Sequence, residues 1–237
     1  MILFQAHAAQ PLPYIASHDD VVALLLFGCF FVTAYVVSRS KKFLLQLVKD
    51  FLLHRTRTSI FANSTASDMR YLLLLIVQTA ILGGVLLLSF VTADRPEVLG
   101  HISSPSLLGI YIGLLLVYIL VKWLVYSFLG WIFFDNEHTT LWLESYSTLL
   151  YYLGFALFPF TLLTVYFHLN ISLSVIICMF LLIFTKILML FKWLKLFCVD
   201  IYGGLLIFLY FCALEIVPCL VAYQGVMDLN SFLILNK

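Results

Sequence analysis

Four ionisable side chains lie within runs of apolar sequence: Lys122, Lys186, Asp200 and Glu215. A charge in hydrocarbon costs about 2.5–3.5 kcal/mol on insertion scales, so each of these residues needs a partner or a use. Two kinds of chemistry are open to them. A carboxylate among lysines makes an ion pair between helices, and a carboxyl beside carbonyls freed by a proline can hold a cation. Leu214-Glu215-Ile216-Val217-Pro218 has the second pattern. Pro218 lacks an N–H and crowds the carbonyl of Leu214, so a kink is expected beside the carboxyl group. The competing reading is a protonated Glu215 bonded to a tyrosine or a carbonyl as interhelical glue, and it is the preferred one.

The other three charges group differently. Counted at 1.5 Å per residue from the outer ends of their spans, Lys122 and Lys186 lie roughly 24 and 22 Å down, and Asp200 follows the next short link. They form a candidate inner-edge ion-pair cluster, with lysines that snorkel to the interface as the plainer alternative. Glu215 counts to roughly 12 Å from the outer end of the last span, with no basic residue at matching depth in the other spans and only Arg95 or His101 within reach.

Catalytic patterns are missing from the chain. It has no GxSxG, no HExxH, no glycine-rich phosphate loop and no aspartate pair at metal spacing. His54 and His138, with Asp135, Glu137 and Glu144, fall on one side of the membrane. His138 and Glu144 are six apart, however, off the spacing that shares a helix face, so no metal site is expected. Cys29, Cys178, Cys198, Cys212 and Cys219 all sit in apolar runs and read as small hydrophobes. No catalytic residue, metal or cofactor is assigned.

The elements that position these groups follow from composition. Of 237 residues, 64% are hydrophobic and 11% charged, against about 25% charged in ordinary soluble domains. So few charges cannot cover a soluble fold of this size, which excludes a soluble enzyme, and a net charge of +1 gives no electrostatic case for nucleic acid. Apolar continuity marks spans at about 21–37, 71–92, 106–134, 146–167, 171–191 and 196–223. They must pair their own backbones and lack the alternation of barrel strands, so an all-α polytopic transmembrane bundle of about six spans is expected. The third and sixth are long enough to tilt, kink or enter the interface. Tyr126, Phe128, Trp131, Phe133 and Phe134 form an aromatic belt at the end of the third. No signal peptide, internal repeat or low-complexity linker is read, so residues 1–237 are taken as one integral membrane domain.

Orientation follows from the basic residues. Segment 38–70 carries Arg39, Lys41, Lys42, Lys49, Arg55, Arg57 and Arg70, and the 192–195 link adds Lys192 and Lys195, whereas the opposite side has Arg95 and Lys237. This asymmetry predicts a cytoplasmic basic segment 38–70 and both termini in the periplasm. Within that segment Leu44, Leu47, Val48, Phe51 and Leu52 recur at helical spacing, predicting an amphipathic helix along the interface with its lysines toward anionic headgroups. Asn63-Ser64-Thr65 matches a glycosylation sequon but falls on the cytoplasmic side. Segment 135–145 is also assigned there, although it holds acids and no Lys or Arg. Pro159 predicts a further kink. Gly83-Gly84, Gly109 with Gly113, and Gly203-Gly204 offer small surfaces for helix approach, and Gly109 and Gly113 have GxxxG spacing.

Phe51-Leu52-Leu53-His54-Arg55-Thr56-Arg57 and Leu214-Glu215-Ile216-Val217-Pro218, with the six-span profile, give the chain a resemblance. It resembles a family of small polytopic inner-membrane proteins of Bacteroidota, a domain of unknown function. The resemblance implies a bacterial inner-membrane location and an all-helical span pattern, with no activity or site residue to carry over. The expected role is non-enzymatic, an assembly or accessory subunit for envelope proteins. Its expected partners are the lipid bilayer and another membrane protein or a second copy, with no nucleic acid. The alternative is a small transporter or ion-coupled permease centred on Glu215 and the Pro218 kink.

Overall fold

Apolar runs of this length can satisfy their N–H and C=O groups in lipid only as helices or closed barrels, and this chain forms helices. The computed structural model describes residues 16–53, 66–100, 102–133, 136–167, 169–197 and 212–235. Within them lie α1 (Asp20–Leu53), α2 (Ala66–Asp94), α3 (Ser104–Phe133), α4 (Asn136–Tyr166), α5 (Ile171–Phe197) and α6 (Val217–Leu235), with no strand among the described residues. Five of the six, α1 to α5, are long and apolar enough to cross a membrane, as expected of a multi-pass membrane protein.

Helix starts are written locally. The Asp19 carboxylate accepts from the Val21 N–H at 3.0 Å, and the Asn170 side chain accepts from the Ser172 N–H at 3.1 Å. These are N-caps of α1 and α5. Ser103 opens α3, its carbonyl accepting from Ser106 and Leu107. Ser104 also donates to Asp19, so the starts of α1 and α3 share one end of the molecule. At that same end Arg95, just past α2, reaches Ser231 near the end of α6, and Tyr111 of α3 reaches Asn230. The helices therefore alternate in direction. Val22, Leu26, Leu82, Val85, Leu108 and Tyr111 belong to the largest buried cluster, which lies toward this end.

Three boundaries differ from the sequence reading. The start of segment 38–70 is not a separate element: α1 runs unbroken to Leu53, and 34 residues span about 51 Å against a hydrocarbon core of about 30 Å. The amphipathic stretch continues the first span, because nothing between Ser38 and Leu53 breaks a helix; its side chains beyond Arg39 lie outside the described ones. Segment 135–145 is largely helix, since α4 begins at Asn136; Asn and Glu favour a helix start, and no Gly or Pro follows for many residues. Pro159 lies within the continuous α4. The last helix reaches Leu235 rather than Tyr223. Gln224, Asp228 and Asn230 lower its hydropathy without breaking it. Residues 198–211, including Gly203 and Gly204, lie outside the described ones.

Candidate functional site

Tyr111, Tyr118, Lys122 and Tyr126 are spaced 7, 4 and 4 apart, so they share one stripe of α3. Along it the structure assembles a buried ionic joint. Lys122 Nζ and Lys186 Nζ, from α3 and α5, both donate to Oε2 of Glu215. Lys122 and Glu215 are 4% and 2% exposed, whereas Lys186 is 31% exposed. Glu215 Oε1 is buried with no hydrogen-bond partner among the described residues.

Aromatic rings complete the surroundings. The Lys122 ammonium lies 5.7, 5.5 and 5.9 Å from the ring centres of Tyr118, Tyr126 and Tyr146, within cation–π range of all three. Tyr126 is fixed in turn by edge contacts with Trp142 and Tyr146 at 5.4 and 5.2 Å. Lys122 thus lies in a tyrosine cage that lowers the cost of burying its charge. Glu215 belongs to a π-helical turn, Cys212–Ile216, that leads directly into α6. Pro218 is the second residue of α6. Glu215 thus sits in a π turn three residues before Pro218, and such turns recur at functional positions.

The joint rearranges the sequence-derived groupings. Lys122 and Lys186 do come together, but on Glu215, while Asp200 lies outside the described residues. The expectation that Glu215 lacks a lysine at its own depth is therefore corrected. The physical reason is the end of the last helix: Leu235 is twenty residues beyond Glu215, about 30 Å along the axis, which carries the carboxylate down to the lysines. Arg95 is occupied elsewhere, 3.4 Å from Ser231 and 3.8 Å from Asp94, and His101 is outside the described residues.

Sequence reasoning missed the cage and the second tie of α6, a 2.7 Å bond from the buried Tyr111 hydroxyl to Asn230 Oδ1. The signal for the cage was the spacing of Tyr118, Lys122 and Tyr126 on one helix face. The weighed metal residues do not form a site among the described residues: no three His, Cys, Asp or Glu converge. Glu144 is buried within α4; His54 and Asp135, and the side chains of Glu137 and His138, lie outside the described ones.

What the arrangement can do is limited by its charges. Two ammonium groups already occupy Oε2, and a further cation beside them would be repelled. The joint links α3, α5 and the π turn that leads into α6, and among the described residues it sets two lysines against one carboxylate.

Comparison with curated proteins and with solved structures finds no match. A family model described as "Domain of unknown function (DUF4271)" matches residues 22–226, nearly the whole chain, and the protein belongs to that family.

Proposed function

We propose that this protein is a non-enzymatic integral subunit of a bacterial inner membrane, of Bacteroidota type, that serves the assembly of other envelope proteins. The observation that supports it most is the use of Glu215: its Oε2 is shared by ammonium groups from two other helices, so the most deeply buried carboxylate among the described residues acts as a fastener. The apolar faces of α3 and α5 remain for lipid or a protein partner, with Trp123, Phe128, Phe180 and Ile183 among the exposed side chains. In this reading both termini are periplasmic and the basic end of α1 is cytoplasmic, as the lysine and arginine asymmetry favours.

The runner-up is a small ion-coupled permease. Glu215 Oε1, buried and unpaired beside a π turn and Pro218, favours it. Reconstitution of wild type and Glu215→Gln separates the two. The fastening role predicts loss of the assembled fold in Glu215→Gln and no ion-dependent flux in wild-type proteoliposomes. Flux in wild type, lost in a Glu215→Gln protein that still assembles, overturns it. Purification in mild detergent should bring a stoichiometric membrane partner, and reporter fusions after residue 60 should report the cytoplasm.

A further inference from the structure

The ionic joint is unbalanced. Among the described residues two lysines meet one carboxylate, and the lysine with the greater exposure is Lys186. Its neighbours along α5, Ile183, Phe184 and Ile187, and those next to Glu215, Ile216 and Val217, are exposed and apolar. Lys186, the more exposed of the two lysines, therefore borders an oily surface rather than a sealed core. Its depth fits the edge of the hydrocarbon: Lys122 is eighteen residues past Ser104, about 27 Å along α3 in a core of about 30 Å. The exposed ring of Trp123, the next residue of α3, lies at that level, as an interfacial aromatic side chain would. A ligand that fits must bring one negative charge at headgroup height and acyl chains to lie on the flanking apolar side chains. Basic pockets between helices at this level bind acidic lipid headgroups.

We propose that the edge of the Lys122–Glu215–Lys186 joint between α5 and the π turn binds the phosphate of an acidic phospholipid through Lys186. Free phosphate shares the recognising chemistry, but the apolar flanks favour the lipid.

The test uses the full chain, purified in mild detergent and followed by native mass spectrometry with added phosphatidylglycerol or phosphatidylcholine. Wild type should retain phosphatidylglycerol in preference to phosphatidylcholine. Lys186→Gln should retain it about fivefold less, the effect of one lysine near a charged surface, while Lys186→Arg and the exposed control Arg70→Gln should match wild type. Equal retention of the two lipids by wild type overturns the proposal without need of a variant. Unchanged retention in Lys186→Gln overturns it, as does displacement of the lipid by millimolar inorganic phosphate, which would assign the site to a soluble anion. A rise in retention in Asp200→Asn would show that Asp200 supplies the missing charge, and would overturn it too.

Discussion

Helices α2 and α6 are held in opposite ways. Over its apolar window α2 is 56% buried, and its backbone comes close to its neighbours. A Cβ added at Gly84 would lie 2.6 Å from Ile112 Cγ1 and 3.3 Å from the Ile112 N, while one added at Gly154 of α4 would run into Thr79 of α2. By contrast α6 makes few close backbone approaches to α3 or α5. Long polar side chains tether it: Lys122 and Lys186 to Glu215, Tyr111 to Asn230, Arg95 to Ser231. In lipid an apolar side chain gains little from exchanging acyl chains for a neighbouring helix, so association rests on close packing of small residues or on polar bonds. This molecule uses the first device at its centre and the second at its last helix.

The contrast breaks most completely at Glu215. Glu215→Leu leaves Lys122 buried without its counter-charge, an expected loss of about 3–5 kcal/mol. Forced unfolding in bicelles should show α6 detaching first while α2 to α4 stay assembled. The triple change Lys122→Met, Lys186→Met and Glu215→Leu should recover most of the loss, because an apolar set of similar volume is often neutral relative to an intact buried ion pair. If the single variant melts like wild type, α6 is held by something other than the joint.

How these two devices appear in the sequence explains what could be read from it. Five of the apolar helices were legible because hydrocarbon admits few alternatives for a long apolar run. Depth was not legible, since it depends on where a helix ends. Polar Gln224, Asp228 and Asn230 ended the last span early on hydropathy, yet Asn230 is 1% exposed and bonded to Tyr111. That error of twelve residues separated Glu215 from Lys122 and Lys186, although all three were recognised as needing partners. Pairings between distant helices, such as the 2.7 Å bond from Gln78 to Thr33, leave no periodic trace in the chain and had to be seen in the fold.

Sharpening the packed side of the comparison calls for Gly84→Ala. The added methyl meets the Ile112 side chain at 2.6 Å and its backbone at 3.3 and 3.5 Å. The side chain can move, but the backbone yields only if α2 and α3 part. An overpacking loss of about 1–3 kcal/mol is expected, read as a lower melting temperature in detergent with the tethering of α6 unchanged. A neutral result would mean that α2 and α3 are not held by close approach.

Tyr111→Phe tests the second tether of α6 with a smaller expected effect. It removes one buried hydroxyl and its bond to Asn230; such bonds in membranes average about 0.6 kcal/mol with a maximum near 1.7. Combined with Glu215→Leu, the loss should be less than additive if both act by holding the same helix, because once α6 is free the Tyr111 bond has nothing left to hold. Full additivity would show two independent sites.

The smallest change is expected at Gly109, and its sign carries the information. Gly109 and Gly113 have the spacing of a helix-pairing motif, yet a Cβ at either position meets nothing within 4 Å. They do not perform for α3 the service that Gly84 performs for α2. With no neighbour to displace, Gly109→Ala removes only the glycine's conformational freedom in a helix interior, worth roughly 0.5–1 kcal/mol in favour of alanine. The variant should melt at or slightly above the wild-type temperature and show the same cross-linked species in membranes. A loss comparable to that of Gly84→Ala, accompanied by loss of a cross-linked dimer, would mean that this face is covered by a second chain, and close packing would then operate between molecules as well as at the centre of this one.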